Sequence, residues 1–164
     1  MFIRHIRHKT ICQSIYITES WVIMTVYTRP VHYYETDRMD CVHHSNYIRW
    51  FEEARIHFMA QAGFPYEELE SRGILSPVLS AQASYHAMCR FGETVEIAVE
   101  INSYSRTRIS FHYQVRDRAT GELRCDGRTY HCFINGAGRP VSLKKAMPEY
   151  DRIASELMAA QEDK

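Results

Sequence analysis

Asp37 is the side chain in this sequence best placed to do chemistry. It lies in a polar turn, seven residues before His44, and the pattern predicts a helix that begins at about Ser45. The first N–H groups of a helix have no partner inside it, so amides near His43 and His44 can bind an oxygen of a ligand that Asp37 also contacts. Acyl transfer needs these two parts. The amides stabilise an oxyanion, at about 10²- to 10³-fold in rate per donor, and the carboxylate attacks the carbonyl carbon or activates water.

Asp37 and the two histidines near it also admit other interpretations. An acid ahead of a helix is most often a turn or capping residue, so Asp37 alone is not diagnostic. Adjacent histidines project in different directions, and no third ligand follows His43 and His44 at a useful interval, so we expect no metal. The chemistry that we expect of Asp37 requires no other cofactor. We interpret His44 as an orienting or proton-handling residue beside Asp37. A histidine at the surface or the edge of the core is the alternative.

Several arginines are candidates for contacts to phosphate, which a guanidinium group binds in a bidentate manner. They are Arg90, Arg106, Arg108 and Arg128. Taken singly, each is more often a solvated strand residue, so the assignment depends on where the fold places them.

One long helix is predicted to follow the polar turn. Its apolar residues recur at a spacing of three to four: Tyr47, Trp50, Phe51, Ala54, Phe58 and Ala62. Ser45 or Asn46 is the predicted cap, and Gly63 followed by Pro65 ends the helix. Before the turn, the β-branched and aromatic residues from Val26 to Tyr33 predict a first strand. Its alternation would turn one of Tyr33 and Tyr34 inward and the other toward the site or a partner subunit.

The remainder of the chain reads mainly as strands. They are predicted from about Leu75 to Ala87, through Val95–Ile101, through Ile109–Val115, and from Leu123 to Ile134. Turn residues at Thr120-Gly121 and Asn135-Gly136 suit antiparallel hairpins. We therefore predict an α+β fold in which a five-stranded antiparallel sheet curls around one long central helix. Tyr150, Ile153 and Leu157 indicate a C-terminal helix on the outside.

Length and composition limit the possible classes. A chain of 164 residues fits one domain, and its 20 basic and 20 acidic residues cancel, so we expect neither nucleic acid nor an anionic membrane as partner. The five cysteines are scattered, which favours a reducing cytoplasm over a disulfide framework.

Residues 1–24 differ in character from the rest and lack the apolar core of a secretory signal, so we predict an N-terminal extension and a natural start at Met24.

Four segments resemble the hotdog-fold acyl-CoA thioesterases of the 4-hydroxybenzoyl-CoA thioesterase family, in particular the YbgC-like branch. They are Val31 to Arg55, SYHAMCRFGETVEIAVEI from Ser84, SRTRISFHYQV from Ser105 and GRTYHCFINGAGRPV from Gly127. The opening motif of the family is matched by Tyr34, Glu35, Thr36, Asp37, His44, Asn46 and Tyr47. The resemblance implies a hotdog domain over residues 25–150, followed by a C-terminal helix or tail over 151–164.

The resemblance also implies an activity and its residues. Asp37 would be the catalytic aspartate of an acyl-CoA thioester hydrolase, and His44 a second active-site residue that supplies a carbonyl-polarising N–H. Tyr34 would line the site. Predicted substrate contacts are His43, Asn46, Arg90, Arg106 and Arg108. Homodimers or homotetramers with shared active sites would follow.

One departure from the family concerns Asp40, which stands where the family commonly has glycine. A turn that demands a positive φ there would be strained, although aspartate tolerates this region better than most residues.

Two other functions stay open at this stage. One is hydration or dehydration of an acyl thioester. The other is a binding module that senses acyl-CoA without turnover.

Overall fold

The computed structural model describes residues 25–162, which form a five-stranded main sheet and two long helices. The strands are β1 Thr25–Pro30, β2 Ile74–Leu75, β3 Val78–Tyr85, β4 Thr94–Tyr104, β5 Arg108–Asp117, β6 Leu123–Cys132 and β7 Ile134–Asn135. The helices are α1 Ser45–Gln61, α2 Tyr66–Ser71, α3 Leu143–Ala146 and α4 Pro148–Glu162. The predicted extension over 1–24, with its proposed start at Met24, lies outside the described residues.

The main sheet contains five antiparallel strands in the order β1-β4-β5-β6-β3. Strands β4 and β5 bury alternate residues, as a sheet with one covered face must. Helix α1 covers that face, and Trp50, Phe51 and Phe58 are fully buried against it. The predicted α+β hotdog fold, a sheet curled around one central helix, is therefore confirmed.

Helix α1 packs tightly against the sheet at Gly127 of β6. A Cβ atom added there would lie 2.6 Å from Cζ of Phe51 and 2.5 Å from the carbonyl oxygen of Gln82. The Phe51 ring cannot retreat easily, because it stacks on Tyr113 with ring centroids 4.5 Å apart. Glycine at this position therefore sets the distance between helix and sheet.

Gly127→Ala is expected to lower the free energy of unfolding by about 3 kcal/mol, because overpacking at this contact forces the Phe51 ring or the β3 backbone to move. Urea unfolding followed by tryptophan fluorescence measures the loss. Gly136→Ala is the matched control, since a Cβ at Gly136 meets nothing within 4 Å. Similar stabilities for the two variants would contradict the proposed close contact.

Two strand predictions were wrong in detail. The strand expected from about Leu75 to Ala87 divides at Ser76-Pro77, where proline cannot donate to a ladder, into β2 and β3. The strand expected from Leu123 to Ile134 ends at Cys132, because the next backbone N–H, that of Phe133, donates to the carbonyl of Thr107 at 3.0 Å. The short strands β2 and β7 pair with each other in a separate two-stranded sheet.

The first strand is also shorter than predicted. It ends at Pro30, and Tyr33–Glu35 form a 3₁₀ helix, so Tyr33 and Tyr34 do not alternate in a strand. Both tyrosines are exposed, at 76% and 77%, which makes the expected inward orientation of one of them wrong. Glu35, the last residue of the 3₁₀ helix, is buried, and the chain there no longer runs along the sheet.

The C-terminal helix indicated by Tyr150, Ile153 and Leu157 is present as α4. It joins the core through Tyr150 and Ala154, which are 4% and 1% exposed, so it is more than an outer appendage. Proline suits the first position of the helix because the N–H that it lacks would have no partner there. Among the described helices, none combines the length and hydrophobicity that a bilayer span requires.

Candidate active site

The turn that carries Asp37 is anchored by the buried carboxylate of Glu35. Its Oε1 accepts hydrogen bonds from Nη2 of Arg29 and from Nε1 of Trp50, both at 2.7 Å, and its Oε2 accepts one from the backbone N–H of His32 at 2.8 Å. The Arg29 guanidinium also lies 4.7 Å from the centre of the Trp50 ring. One carboxylate thus joins β1, the 3₁₀ helix and α1 immediately before the candidate site.

The backbone carbonyl of Glu35 fixes the start of α1. It accepts hydrogen bonds from Nδ2 of Asn46 and from the backbone N–H of His43, each at 2.8 Å. The His43 amide is therefore not free, contrary to expectation. The Asn46 side chain is buried and makes this structural hydrogen bond. Within a single chain it therefore does not reach a ligand.

The cap of α1 also differs from the prediction. The helix begins at Ser45 with His44 as its N-cap residue, and neither Ser45 nor Asn46 caps it. His43 satisfies the first amides instead: its Nδ1 accepts from the Ser45 N–H at 3.3 Å, and its carbonyl accepts from the Asn46 N–H at 2.9 Å. Within residues 25–162, the backbone N–H of His44 has no hydrogen-bond partner. Of the two predicted free amides, this one remains.

Asp37 is held with one carboxylate oxygen available. Its backbone closes the turn, donating to the carbonyl of Cys41 at 2.9 Å and accepting from the N–H of Asp40 at 3.0 Å. Oδ1 accepts from the backbone N–H of Met39 at 2.8 Å and contacts the Cys41 thiol at 3.9 Å. Oδ2 has no partner in the described part of the chain, so it can meet a ligand.

Asp37 and His44 open onto one pocket of about 360 Å³. Its lining consists of Asp37, Met39, Cys41, Val42, His44, Tyr47, Tyr85, His86, Ala87 and Met88. Most of these side chains are apolar or aromatic, which suits an organic acyl group. The positive end of the α1 dipole lies at the same place, so a developing negative charge would be stabilised there.

The pocket wall also contains a cysteine, Cys41. Burial, followed by the negative charge of Asp37, raises the pKa of the Cys41 thiol above its ordinary value. A protonated thiol is a poor nucleophile. Asp37 therefore stays the group of this pocket wall that the sequence predicts to be reactive.

The other predicted contacts are dispersed. The exposed Tyr34 stacks on His32, with ring centroids 5.4 Å apart, and it is not part of the pocket wall. The rings of His43 and His44 pack against each other at 4.1 Å, so these side chains do not diverge as expected. No group of three metal-ligating side chains is found among the residues that the structure describes.

Arg90 contacts the turn that carries Asp37, whereas Arg106 and Arg108 lie elsewhere. Nη1 of Arg90 donates to the carbonyl oxygen of Asp40 at 2.8 Å and to its carboxylate at 2.9 Å, which ties the β3–β4 loop to the Asp37 turn. The pocket adjoins the Tyr85 end of β3. Arg108 starts β5 at the opposite end of the sheet, beside Cys132, and Arg106 precedes it.

Sequence reasoning missed two polar residues of the pocket wall, Tyr85 and His86. His86, which follows β3, contacts Oδ1 of Asp126 on β6 through its Nε2 at 2.5 Å. The Tyr85 hydroxyl donates to the carbonyl of His44 at 3.1 Å and so supports the peptide before α1. Only the register between β3 and β6 brings these residues here, and no local pattern could have indicated it.

Asp40, at the position where the resemblance implies glycine, occupies the left-handed region, with a φ of 58°. A side chain without local polar contacts is strained by about 1–2 kcal/mol in this region, and Asp40 has Arg90 as partner. We therefore expect Asp40→Ala to be less stable than Asp40→Gly by about 1 kcal/mol, because both lose the ion pair but only alanine is strained. Urea midpoints of the two variants measure this difference, and equal midpoints would contradict it.

The sequence matches the thioesterase-like superfamily over residues 31–159. The Bacillus subtilis protein YneP, provisionally named an acyl-CoA thioesterase, is 33% identical over 121 residues, which cover 73% of this chain and 87% of YneP. The fold resembles that of a DHNA-CoA thioesterase from Staphylococcus aureus, with a TM-score of 0.82, 29% identity and coverage of 85% of this chain and 93% of that one. A hypothetical protein from Thermus thermophilus has a TM-score of 0.73 and 36% identity, over 80% of this chain and 98% of its own. This chain therefore belongs to the thioesterase-like superfamily, the hotdog-fold family that its motifs resemble.

Proposed function

We propose that this protein hydrolyses the thioester bond of an acyl-CoA, with Asp37 as its nucleophile or general base. One observation carries the proposal: Asp37, with a free Oδ2, and His44, with a free backbone N–H, line the same largely apolar pocket at the start of α1. The names of similar proteins, an acyl-CoA thioesterase from Bacillus subtilis and a DHNA-CoA thioesterase from Staphylococcus aureus, support this reaction class.

The free amide provides the electrostatic part of the mechanism. The thioester carbonyl oxygen would accept a hydrogen bond from the His44 N–H, at the positive end of the α1 dipole. Oδ2 of Asp37 then attacks the carbonyl carbon, the C–S bond breaks, and CoA leaves as the thiolate. Water hydrolyses the resulting anhydride and releases the free acid and Asp37. Alternatively, Oδ2 takes a proton from water, whose oxygen attacks the same carbon; the C–S bond then breaks, and the proton on Asp37 passes to the departing CoA thiolate.

The pocket suggests where the substrate lies. The apolar side chains of Met39, Val42 and Met88 would contact the acyl group. Arg90 stands near the rim, and its guanidinium could exchange the exposed carboxylate of Asp40 for a phosphate of CoA. Arg106 and Arg108 lie at the far end of the sheet, so in our proposal they would contact CoA only if another subunit brought them near.

We further propose a homodimer, or a homotetramer made of two dimers, in which β3 pairs with β3 of a second copy. Strand β3 is an edge of the sheet and is almost wholly exposed, including Val78 and Leu79. Such an edge invites a further strand. Because Tyr85 and the residues after it line the pocket, a second copy would border each active site. Analytical ultracentrifugation tests the assembly, and a monomer at micromolar concentration would contradict it.

The direct test is thiol release from a panel of short, medium, long and aromatic acyl-CoAs. Turnover of at least one class, with one free acid formed per thiol, is the expected result. Tight binding without thiol release would favour an acyl-CoA sensor. A change in enoyl-CoA absorbance without thiol release would favour a hydratase. Either outcome would reject hydrolysis.

A further inference from the structure

Arg124, on β6, holds the part of the pocket wall that follows β3, although it does not line the pocket itself. Its backbone carbonyl accepts hydrogen bonds from the N–H groups of His86 and Ala87, at 2.9 and 3.2 Å. Its Nη1 donates to the carbonyl oxygen of Met88 at 2.7 Å. Three successive residues of the pocket wall are therefore bound to one residue outside it.

The Arg124 side chain is itself fixed by three carboxylates. Its Nη2 donates to Oδ2 of Asp117 at 3.0 Å and lies 3.6 Å from Oε1 of Glu93, while its Nη1 lies 3.1 Å from Oε2 of Glu122. Hydrogen bonds from the Thr120 N–H and from Arg124 lower the pKa of the buried Asp117 carboxyl group, which therefore stays charged at neutral pH. A guanidinium group held in this way has little freedom to turn away from the pocket wall.

Apolar packing alone does not fix the wall at Met88. The Met88 side chain is 53% exposed, so little of it is held by neighbours. The next residue, Cys89, is fully buried, and its carbonyl accepts the N–H of Val42, in the part of the lining that precedes α1, at 2.8 Å. Between that fixed point and the end of β3, the position of the Met88 peptide depends on its bond to Arg124.

We propose that Arg124 is a positioning residue that sets the shape of the acyl pocket and so selects the acyl group. This inference rests on the proposed acyl-CoA hydrolysis, but it concerns binding. Asp37 and the His44 amide belong to a separate segment, which Glu35 anchors. A displaced wall would therefore change how tightly the acyl group is held and leave the reacting groups in place.

The acyl-CoA panel tests the inference through a split between KM and kcat. Arg124→Met should raise the KM of the best acyl-CoA about tenfold and change kcat by less than about threefold. Without the guanidinium, the wall would keep its binding-competent position for about a tenth of the time, and the apparent affinity falls by that fraction. The preference for the best acyl group over shorter and longer ones should shrink as well.

Two further variants show whether the effect belongs to the bond with Met88. Arg124→Lys should recover part of the affinity, because an ammonium group can donate to the Met88 carbonyl but lacks the fork that also reaches Asp117. Arg118→Met is the control. It removes an equal charge from the neighbouring turn, where the side chain is 61% exposed and lies 3.6 Å from Glu96, so the parental KM should persist.

Thioether analogues of the same acyl-CoAs, which cannot be hydrolysed, separate this inference from the proposed reaction. Their Kd, measured by calorimetry, should rise about tenfold in Arg124→Met, even if the parent releases no thiol. Partial unfolding lowers kcat and leaves KM and Kd unchanged, so a loss confined to kcat would overturn the inference. Parental KM and Kd values in the variant, or a parent that binds no analogue, would also overturn it. Should Arg124→Met fail to fold, Arg124→Lys decides, and a Kd equal to that of the parent then rejects the role.

Discussion

Asp37→Asn is expected to reduce kcat/KM for thiol release by about 10²- to 10⁴-fold, the usual loss when a positioned acid or base is removed. Asparagine has nearly the same shape, and its carbonyl oxygen can still accept the Met39 N–H that Oδ1 accepts now. Its amide is neither a nucleophile nor a base. The loss should therefore appear in kcat, measured with the best substrate of the acyl-CoA panel, while the Tm stays close to that of the parent.

Asp40→Asn is the matched control for this prediction. Asp40 lies three residues away in the same turn, but its exposed carboxylate pairs with Arg90 and does not line the pocket. Asparagine also tolerates a positive φ. The control should keep at least a large part of the parental rate. Equal rates for Asp37→Asn and the parent would remove Asp37 from the mechanism, even if the protein proved to be a thioesterase.

Glu35→Ala is expected to lower the free energy of unfolding by about 3–5 kcal/mol, the loss typical when one partner of a buried ion pair is removed. The substitution leaves the Arg29 guanidinium buried beside a cavity and deprives the indole N–H of Trp50 of its acceptor. Chemical unfolding in urea, followed by tryptophan fluorescence and circular dichroism, measures the change. Activity should also fall, because the Asp37 turn and the start of α1 would lose their common anchor.

Glu53→Ala is the control for Glu35. Glu53 also contacts Arg29, at 3.3 Å, but it is 45% exposed, so removing it should cost no more than about 1 kcal/mol. Comparable losses for Glu35→Ala and Glu53→Ala would show that burial does not distinguish the two carboxylates. The double variant Arg29→Met, Glu35→Leu should recover part of the loss, because an apolar pair removes the unpaired charge.

The fold could be predicted from the sequence because its strongest signals are local. The alternation in β4 and β5 and the apolar spacing of α1 each report which face is buried. Gly63, with a φ of 87°, ends the helix region as expected. Boundaries were less predictable: Pro77 marks a break that its own lack of an N–H explains, but the strand end at Cys132 depends on the bond from Phe133 to Thr107, which is distant in sequence.

The candidate site was predictable only in part. The spacing of Asp37 and His44 placed both on one pocket, but it could not show which amide stays free. That outcome depends on the Glu35 carbonyl, which takes the amide of His43. The role of Glu35 was itself hidden, because its burial arises from a cation on β1 and an indole on α1. Arg106 and Arg108 were grouped with Arg90 because all three are arginines. Residue type does not show at which end of the sheet a residue lies.

The bond from the Tyr85 hydroxyl to the His44 carbonyl couples an edge strand to the residue whose own backbone N–H has no partner in the described chain. If β3 pairs with a second copy, as proposed, quaternary structure and catalytic geometry become linked. Each subunit would then be most active in the assembled state. Specific activity should decline on dilution below the dissociation constant of the dimer. The rate per subunit would therefore depend on the concentration of the protein.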